Sequence, residues 1–245
     1  MDKTVVISQS MYFPWCGLID QIRLADVFVH YNDVQLSRGF YNRVQVKTPQ
    51  GTTLITVPLQ KKHQNQLINE SYISYDSNWI ENHRSILISS YRKTKFIDDA
   101  IAIFDQVHSE KFELLSDLGK ASIQALATYF QVDQSVKFLD SDSLGISGSS
   151  SQRLHDITKS LGGTIYLTGH GALKYLDHDL FESSKIEVRY MKYSILSYNQ
   201  VFGQFTPYVT ALDAIAHLGK ESTNILNSTS INWRKAHERP EELRA

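Results

Sequence analysis

Apolar and polar positions change period several times along the chain. Val5-Val6-Ile7 is a short continuous apolar run. It passes through Gln9-Ser10-Met11-Tyr12-Phe13-Pro14-Trp15-Cys16-Gly17 into Leu18-Ile19-Asp20-Gln21-Ile22, and Ala25-Asp26-Val27-Phe28-Val29-His30 follows as a second apolar run. That succession predicts strand, tight loop, helix and strand. Arg43-Val44-Gln45-Val46-Lys47 then alternates, Pro49-Gln50-Gly51 interrupts it, and Thr53 to Leu59 resumes it, which predicts a hairpin with a turn of about four or five residues. Lys61 to Gln66 is polar without periodicity and reads as a loop.

From Ser77 to about Lys93 the spacing becomes helical through Trp79, Ile80, His83, Ile86, Leu87 and Tyr91, and helices are expected from Lys95 to about Val107 and from Lys111 to about Phe130. Val136 to Leu139 is a short strand. The serines Ser147 to Ser151 lead into a helix from Gln152 to Leu161, which Gly162-Gly163 ends. Thr164 to Thr168 is a buried-type strand that turns at Gly169-His170-Gly171, with the helical Leu173 to Leu176 behind it. Ile186 to Tyr190 adds a strand and Ala211 to Gly219 a helix. The part after Ser228 is polar, and Glu238 to Ala245 is expected to fray. The pattern predicts an α/β fold: a mostly parallel sheet flanked by helices, nucleotide-binding and Rossmann-like, with a β-hairpin and a helical insertion at about 77–131 inside one domain spanning 1–245. Ligands of such sheets bind beyond the carboxyl ends of the strands, where the two loops of the opening forty-three residues lie.

Composition narrows this picture rather than changing it. With 42% hydrophobic and 21% charged residues among 245, the chain has the means to bury a core, and a formal charge of -1 gives no global reason to expect tight nucleic-acid backbone binding. A lone cysteine, no signal-type N-terminus and no apolar run near spanning length lead to the expectation of a cytoplasmic protein without a membrane span.

The standard signatures are missing: no phosphate-binding Gly-x-x-x-x-Gly-Lys loop, no Gly-x-Gly-x-x-Gly, no His-Glu-x-x-His and no Gly-x-Ser-x-Gly. The nine histidines show no paired ligand spacing, so no metal site is expected. Candidate chemistry rests on clusters instead. Tyr12 and Trp15 form an aromatic loop behind Gln9, suited to stacking on a ring and bonding its polar edge, or else to plugging the end of the sheet. Asp33, Gln35, Asn42 and Arg43 gather a carboxylate, two amides and a guanidinium near one strand end; Arg43 suits a phosphate or carboxylate, and Asp33 suits an amine. An Asp33–Arg43 ion pair is the competing reading. His83 beside Trp79 and His170 between two glycines are further acid–base candidates, and Gln200, with Tyr198 and Phe205, marks a second aromatic and amide loop. Cys16 reads as a small buried hydrophobe more than as a nucleophile.

The opening motif, together with Ala25 to Val29, Asn32 to Gln35, Asn42-Arg43, Trp79 with His83, Tyr166 to Gly169, Tyr175-Leu176, and Gln200 with Phe205 and Asp213, resembles the WbqC-like family, in order and over nearly the whole chain. Ser10 stands where that family usually has proline, Thr168 where serine is common, and His170 where a small residue is usual. The resemblance implies bacterial surface-polysaccharide, especially O-antigen (lipopolysaccharide), biosynthesis. It further implies an acyl- or aminoacyltransferase of glycyl type that forms an amide on a nucleotide-linked amino sugar such as dTDP-4-amino-4,6-dideoxyglucose. In the activity the resemblance implies, the aromatic loop holds the base or sugar, Arg43 meets a phosphate, and Asp33 or His83 takes the proton of the sugar amine. With His170 from the residue pattern, the catalytic candidates are Asp33, His83 and His170, and the substrate-binding candidates are Gln9, Tyr12, Trp15, Gln35, Asn42, Arg43 and Gln200. The activated donor is an aminoacyl-tRNA, a carrier-protein thioester or a carboxylate activated by ATP, with tRNA or an acyl carrier protein as the corresponding partner. The alternatives are a non-catalytic nucleotide-sugar-binding accessory protein and an ATP-dependent amide ligase working through an adenylate.

Overall fold

A computed structural model describes residues 2–37, 39–61 and 63–238. Its centre is a six-stranded sheet in the order β5-β2-β1-β6-β7-β8, built from β1 (Thr4–Ser8), β2 (Val27–His30), β5 (Lys137–Asp140), β6 (Ile165–Thr168), β7 (Glu187–Lys192) and β8 (Thr229–Asn232). All neighbours pair in parallel except β7 with β8. A separate antiparallel hairpin joins β3 (Arg43–Thr48) to β4 (Gly51–Thr56). The sheet is therefore mostly parallel, with the hairpin beside it, as the pattern predicts.

Alternation along the buried strands divides the core in two. Val6, Phe28, Leu167 and Met191 face one side, where α1 (Cys16–Arg23), α2 (Trp79–Tyr91), α3 (Ile97–Val107), α4 (Leu115–Tyr129) and α7 (Ala211–Leu218) pack. Val5, Ile7, Val27, Val29, Tyr166 and Val188 face the other, against α5 (Ser150–Ser160), α6 (His178–Ser183) and α8 (Trp233–Glu238). Successive residues of a strand point to opposite faces, so continuous apolar runs are what a sheet covered on both sides requires.

Two details differ from the sequence reading. The hairpin turn is tighter, because Thr48 pairs directly with Gly51 and only Pro49-Gln50 lie between them; Gly51 takes φ 113°, a value that glycine adopts freely. The polar segment from Ser228 is not a tail. It supplies β8, whose Tyr190–Ile231 pairing sets it on the sheet edge, and α8, whose Ala236 is fully buried. An edge strand solvated on one side carries too few apolar residues to announce itself. Of the expected frayed segment, Glu238 ends α8 and residues 239–245 lie outside the described residues.

The strand order creates a switch point. From β1 the chain moves outward to β2 and β5, then returns to the opposite side of β1 at β6 and continues outward to β7. The connections leaving β1 and β6 diverge there and open a crevice at the strands' carboxyl ends.

Candidate functional site

The loop after β1 is shaped by one unusual residue. Phe13 takes φ 38°, which is sparsely used by residues with a side chain, and buries its ring against Phe104 at a centroid distance of 5.5 Å. Tyr12, Phe13 and Pro14 are all buried by the reversal, and Trp15 emerges partly exposed beyond them. Trp15 ends the loop as the N-cap of α1, and its indole folds over Gly17, where a Cβ would lie 2.3 Å from the ring. Any larger residue at 17 displaces the indole.

Trp15 separates two clefts. On one side is the switch-point cleft, about 300 Å³, with Gln9, Met11, Tyr31, Thr168, Gly169 and Tyr193 in its walls. None of the residues lining it is charged. On the other side is a cleft of about 570 Å³ between the opening loop and the hairpin, walled by Trp15, Phe40, Arg43, Thr52, Thr206 and Tyr208. Backbone bonds fix these walls to one another: Tyr12 N–H donates to Tyr41 O at 3.0 Å, Ala211 N–H to Pro14 O at 2.8 Å, and Thr210 N–H to Gln45 O at 2.9 Å. A third cleft, about 340 Å³, shares Tyr31, Leu154 and Tyr175 with the switch-point cleft and adds Asp33, Gln35, Gly148, Ser149, Ser150 and Arg153. The three form a trough along the carboxyl edge of the sheet. Phe40, Tyr175 and Tyr208, each about half exposed or more, stand on its rim. Exposed aromatic side chains beside a concavity mark a binding surface.

The sequence-derived candidates fall into distinct places. Gln9 and Trp15 line the switch-point cleft, Trp15 and Arg43 the hairpin cleft, and Asp33 and Gln35 the third. Asp33 pairs with Arg153, not Arg43, and also accepts from Ser141 Oγ. Burial of Asp33 acts to raise its carboxyl pKa, but the Arg153 and Ser141 bonds outweigh it and hold the group below the usual carboxylate range. Arg153 also donates to Ile146 O at 2.9 Å and stacks on Tyr31. Gln35 is exposed and bonds Asn65 Oδ1 at 3.2 Å.

Tyr12 reaches the floor of the hairpin cleft, and the remaining candidates lie under the trough or at its switch point. Tyr12 is fully buried, its hydroxyl between His83 Nδ1 at 3.2 Å and His108 Nε2 at 3.1 Å, and burial lowers both imidazoles to about 4. His83 lines none of the three clefts. Asn42 Nδ2 donates to Val57 O at 2.9 Å and locks the base of the hairpin. Gln200 is buried, taking Lys47 Nζ at 2.6 Å on Oε1 and giving Nε2–H to Asp213 Oδ1 at 2.9 Å. That network fixes the Thr206–Tyr208 wall from beneath. His170 lies at the switch point between Gly169 and Gly171, but its Nε2–H donates to Met191 O at 2.7 Å and its ring packs on Tyr193; burial lowers its pKa. Cys16 is buried, and burial, then Asp213 and Asp20, push its thiol pKa up. Among the described residues no group of three or more His, Cys, Asp or Glu side chains is placed to hold a metal ion, and no helix is long and apolar enough to cross a membrane.

Sequence reasoning missed Arg153, Phe40 and Tyr208. Arg153 is 120 residues from Asp33, so no local spacing exposes the pair. Phe40 and Tyr208 sit in irregular loops, where their exposure is a property of the fold.

The chain is an α/β protein whose mostly parallel sheet carries an aromatic-rimmed trough at its switch point. The chain matches the WbqC-like protein family over residues 9–225, and it belongs to that family. It is also 30% identical over 228 residues to the uncharacterized protein Rv1507c of Mycobacterium tuberculosis (strain ATCC 25618 / H37Rv), covering 91% of this chain and 97% of that one. No solved structure matches the chain.

Proposed function

We propose that the protein serves bacterial surface-polysaccharide biosynthesis as a transferase that forms an amide on a nucleotide-linked amino sugar, of which dTDP-4-amino-4,6-dideoxyglucose is the first to test. One observation carries this reading: the switch-point cleft is an uncharged chamber lined with polar and aromatic groups, and it shares the wall Tyr31–Tyr175 with the cleft holding Asp33. A hexose ring offers hydroxyls and an apolar face but no charge, which suits Gln9, Thr168 and the rings of Trp15 and Tyr31. Its amine then points along the trough to Asp33.

In this reading the free amine attacks the carbonyl carbon of the activated donor. The N–C bond forms, the donor's leaving group departs, and the proton lost from nitrogen passes to the Asp33 carboxylate and on to solvent. Arg153 and Ser141 keep Asp33 ionised and oriented for this. His83 and His170 act at a distance, the first by fixing Tyr12 and the second by fixing the turn after β6. The test is incubation with the dTDP-linked amino sugar and a panel of glycyl and acyl donors as tRNA ester, carrier thioester, or free acid with ATP, with product mass as the readout. A mass gain of one acyl or aminoacyl group supports the reading. No gain with any donor, despite measurable binding of the sugar nucleotide, rules it out in favour of the accessory role.

A second reading has an observation of its own. Gly148, Ser149 and Ser150 line the third cleft at the start of α5, a place that suits the phosphates of a nucleoside triphosphate and hence adenylate formation. Its mark is ATP-dependent pyrophosphate release, and product formed from a tRNA ester or thioester without ATP excludes it.

A further inference from the structure

We infer that the hairpin cleft, not the switch-point crevice, is the subsite for the nucleoside diphosphate portion of the substrate, with the guanidinium of Arg43 on a phosphate and the base among Trp15, Phe40 and Tyr208. The inference starts from a missing partner. Arg23, Arg84, Arg153, Arg189 and Arg234 each reach a carboxylate. Arg43 is partly buried at the start of β3, its Nε is closed off from solvent without a hydrogen-bond partner, and no described carboxylate pairs with it. A desolvated guanidinium nitrogen left unpaired is costly, and a fold retains it where an anion arrives. The planar fork of arginine is matched to phosphate or carboxylate oxygens.

The surroundings choose between those two anions. Trp15 lies 5.7 Å from Tyr208 ring to ring, and Phe40 stands 49% exposed across the cleft, so aromatic faces border the guanidinium. At about 570 Å³ the space is far larger than a small carboxylate needs and suits a base, a pentose and two phosphates. The switch-point cleft has no cation among its lining residues to balance a diphosphate. The usual place for the phosphates in a doubly wound sheet is therefore the place here for the neutral sugar, and the nucleotide lies one cleft over, across Trp15. Naming the anion as a nucleotide rests on the transferase reading; the anion site itself does not.

The experiment is isothermal titration of the full chain with dTDP, thymidine and glycine, for the unaltered protein, Arg43→Gln, Arg43→Lys and Tyr208→Ala. The expected results are dTDP binding at least about tenfold tighter than thymidine, collapse of that difference in Arg43→Gln, and partial recovery in Arg43→Lys. Tyr208→Ala weakens dTDP and thymidine alike. Because Arg43 has no partner to lose, Arg43→Gln melts at or above the temperature of the unaltered protein, and Tyr208, 54% exposed, is removed without touching the core. Arg43→Gln that still binds dTDP within about twofold of the unaltered protein overturns the inference, as does dTDP displaced by glycine at comparable concentration. The two readings fail separately: Arg43-dependent dTDP binding with no acylated product leaves the subsite standing and removes the transferase, whereas full product formation by Arg43→Gln does the reverse.

Discussion

Replacing Asp33 by asparagine keeps the shape of the side chain and removes the charge that faces Arg153. The two side chains are 16% and 7% exposed, so the pair lies between a surface bridge and a buried one. Breaking a fully buried pair costs about 3–5 kcal/mol, and an exposed pair contributes about 1 kcal/mol or less. Arg153 retains Ile146 O at 2.9 Å and the Tyr31 ring, and the asparagine oxygen still accepts one bond, so a loss of roughly 2 kcal/mol is expected. Urea unfolding at pH 7 measures it. The carboxyl pKa is lowered in the folded protein, so its stabilising effect is complete above the unfolded value of about 4 and is lost as pH falls through the folded value. The gap between Asp33→Asn and the unaltered protein must therefore close in acid. In product formation the same variant, still folded, is expected to lose about 100-fold or more in kcat, the size of a missing general base. A stability loss under about 0.5 kcal/mol, or a gap that persists unchanged at low pH, refutes the ion-pair argument; an unchanged kcat refutes the role as base.

Three further expectations follow from the packing. Gly119 on α4 faces the switch-point loop, where an added Cβ meets Ser10 Cβ at 2.9 Å, so Gly119→Ala is expected to cost about 1 kcal/mol net despite its better helix propensity; thermal melting checks this, and a stabilised variant contradicts it. His30, His83 and His108 are each lowered to about 4 by burial, so the folded state binds fewer protons than the unfolded one between about pH 4 and 6.5, and stability must fall as pH drops through that window. Denaturant titrations across it are expected to be flatter for His108→Gln. Cys16, buried with its thiol pKa pushed up, is expected to react with a disulfide reagent at pH 8 only at the rate of unfolding, and Cys16→Ser to leave product formation largely intact.

The parallel strands were legible because both faces of the sheet are covered, which turns each strand into a continuous apolar run such as Val5-Val6-Ile7. The edge strand β8 was not, since only half of it needs to be apolar. The candidate site was legible as a set of cleft-lining residues where one segment carries it: Gln9, Trp15, Asp33 and Arg43 all lie within the first two strand ends and the start of the hairpin, and all line the trough. Polar type alone did not separate wall from foundation. Asn42 and Gln200 have the same chemistry as Gln9, yet Val57 and Asp213 consume their bonds beneath the surface. The pairing of Asp33 with Arg153 rather than the nearby Arg43 depends on α5 crossing back over the strand ends, and that is tertiary geometry. That geometry leaves Arg43 without a partner among the described carboxylates, the observation on which the inferred anion subsite rests.

The most direct test of the central claim is a crystal structure with the dTDP-linked amino sugar bound. The expected complex places the sugar in the uncharged cleft between Trp15 and Tyr31, its amine toward Asp33, and a phosphate on Arg43. A sugar nucleotide bound outside the trough, or with its amine turned away from Asp33, contradicts the account.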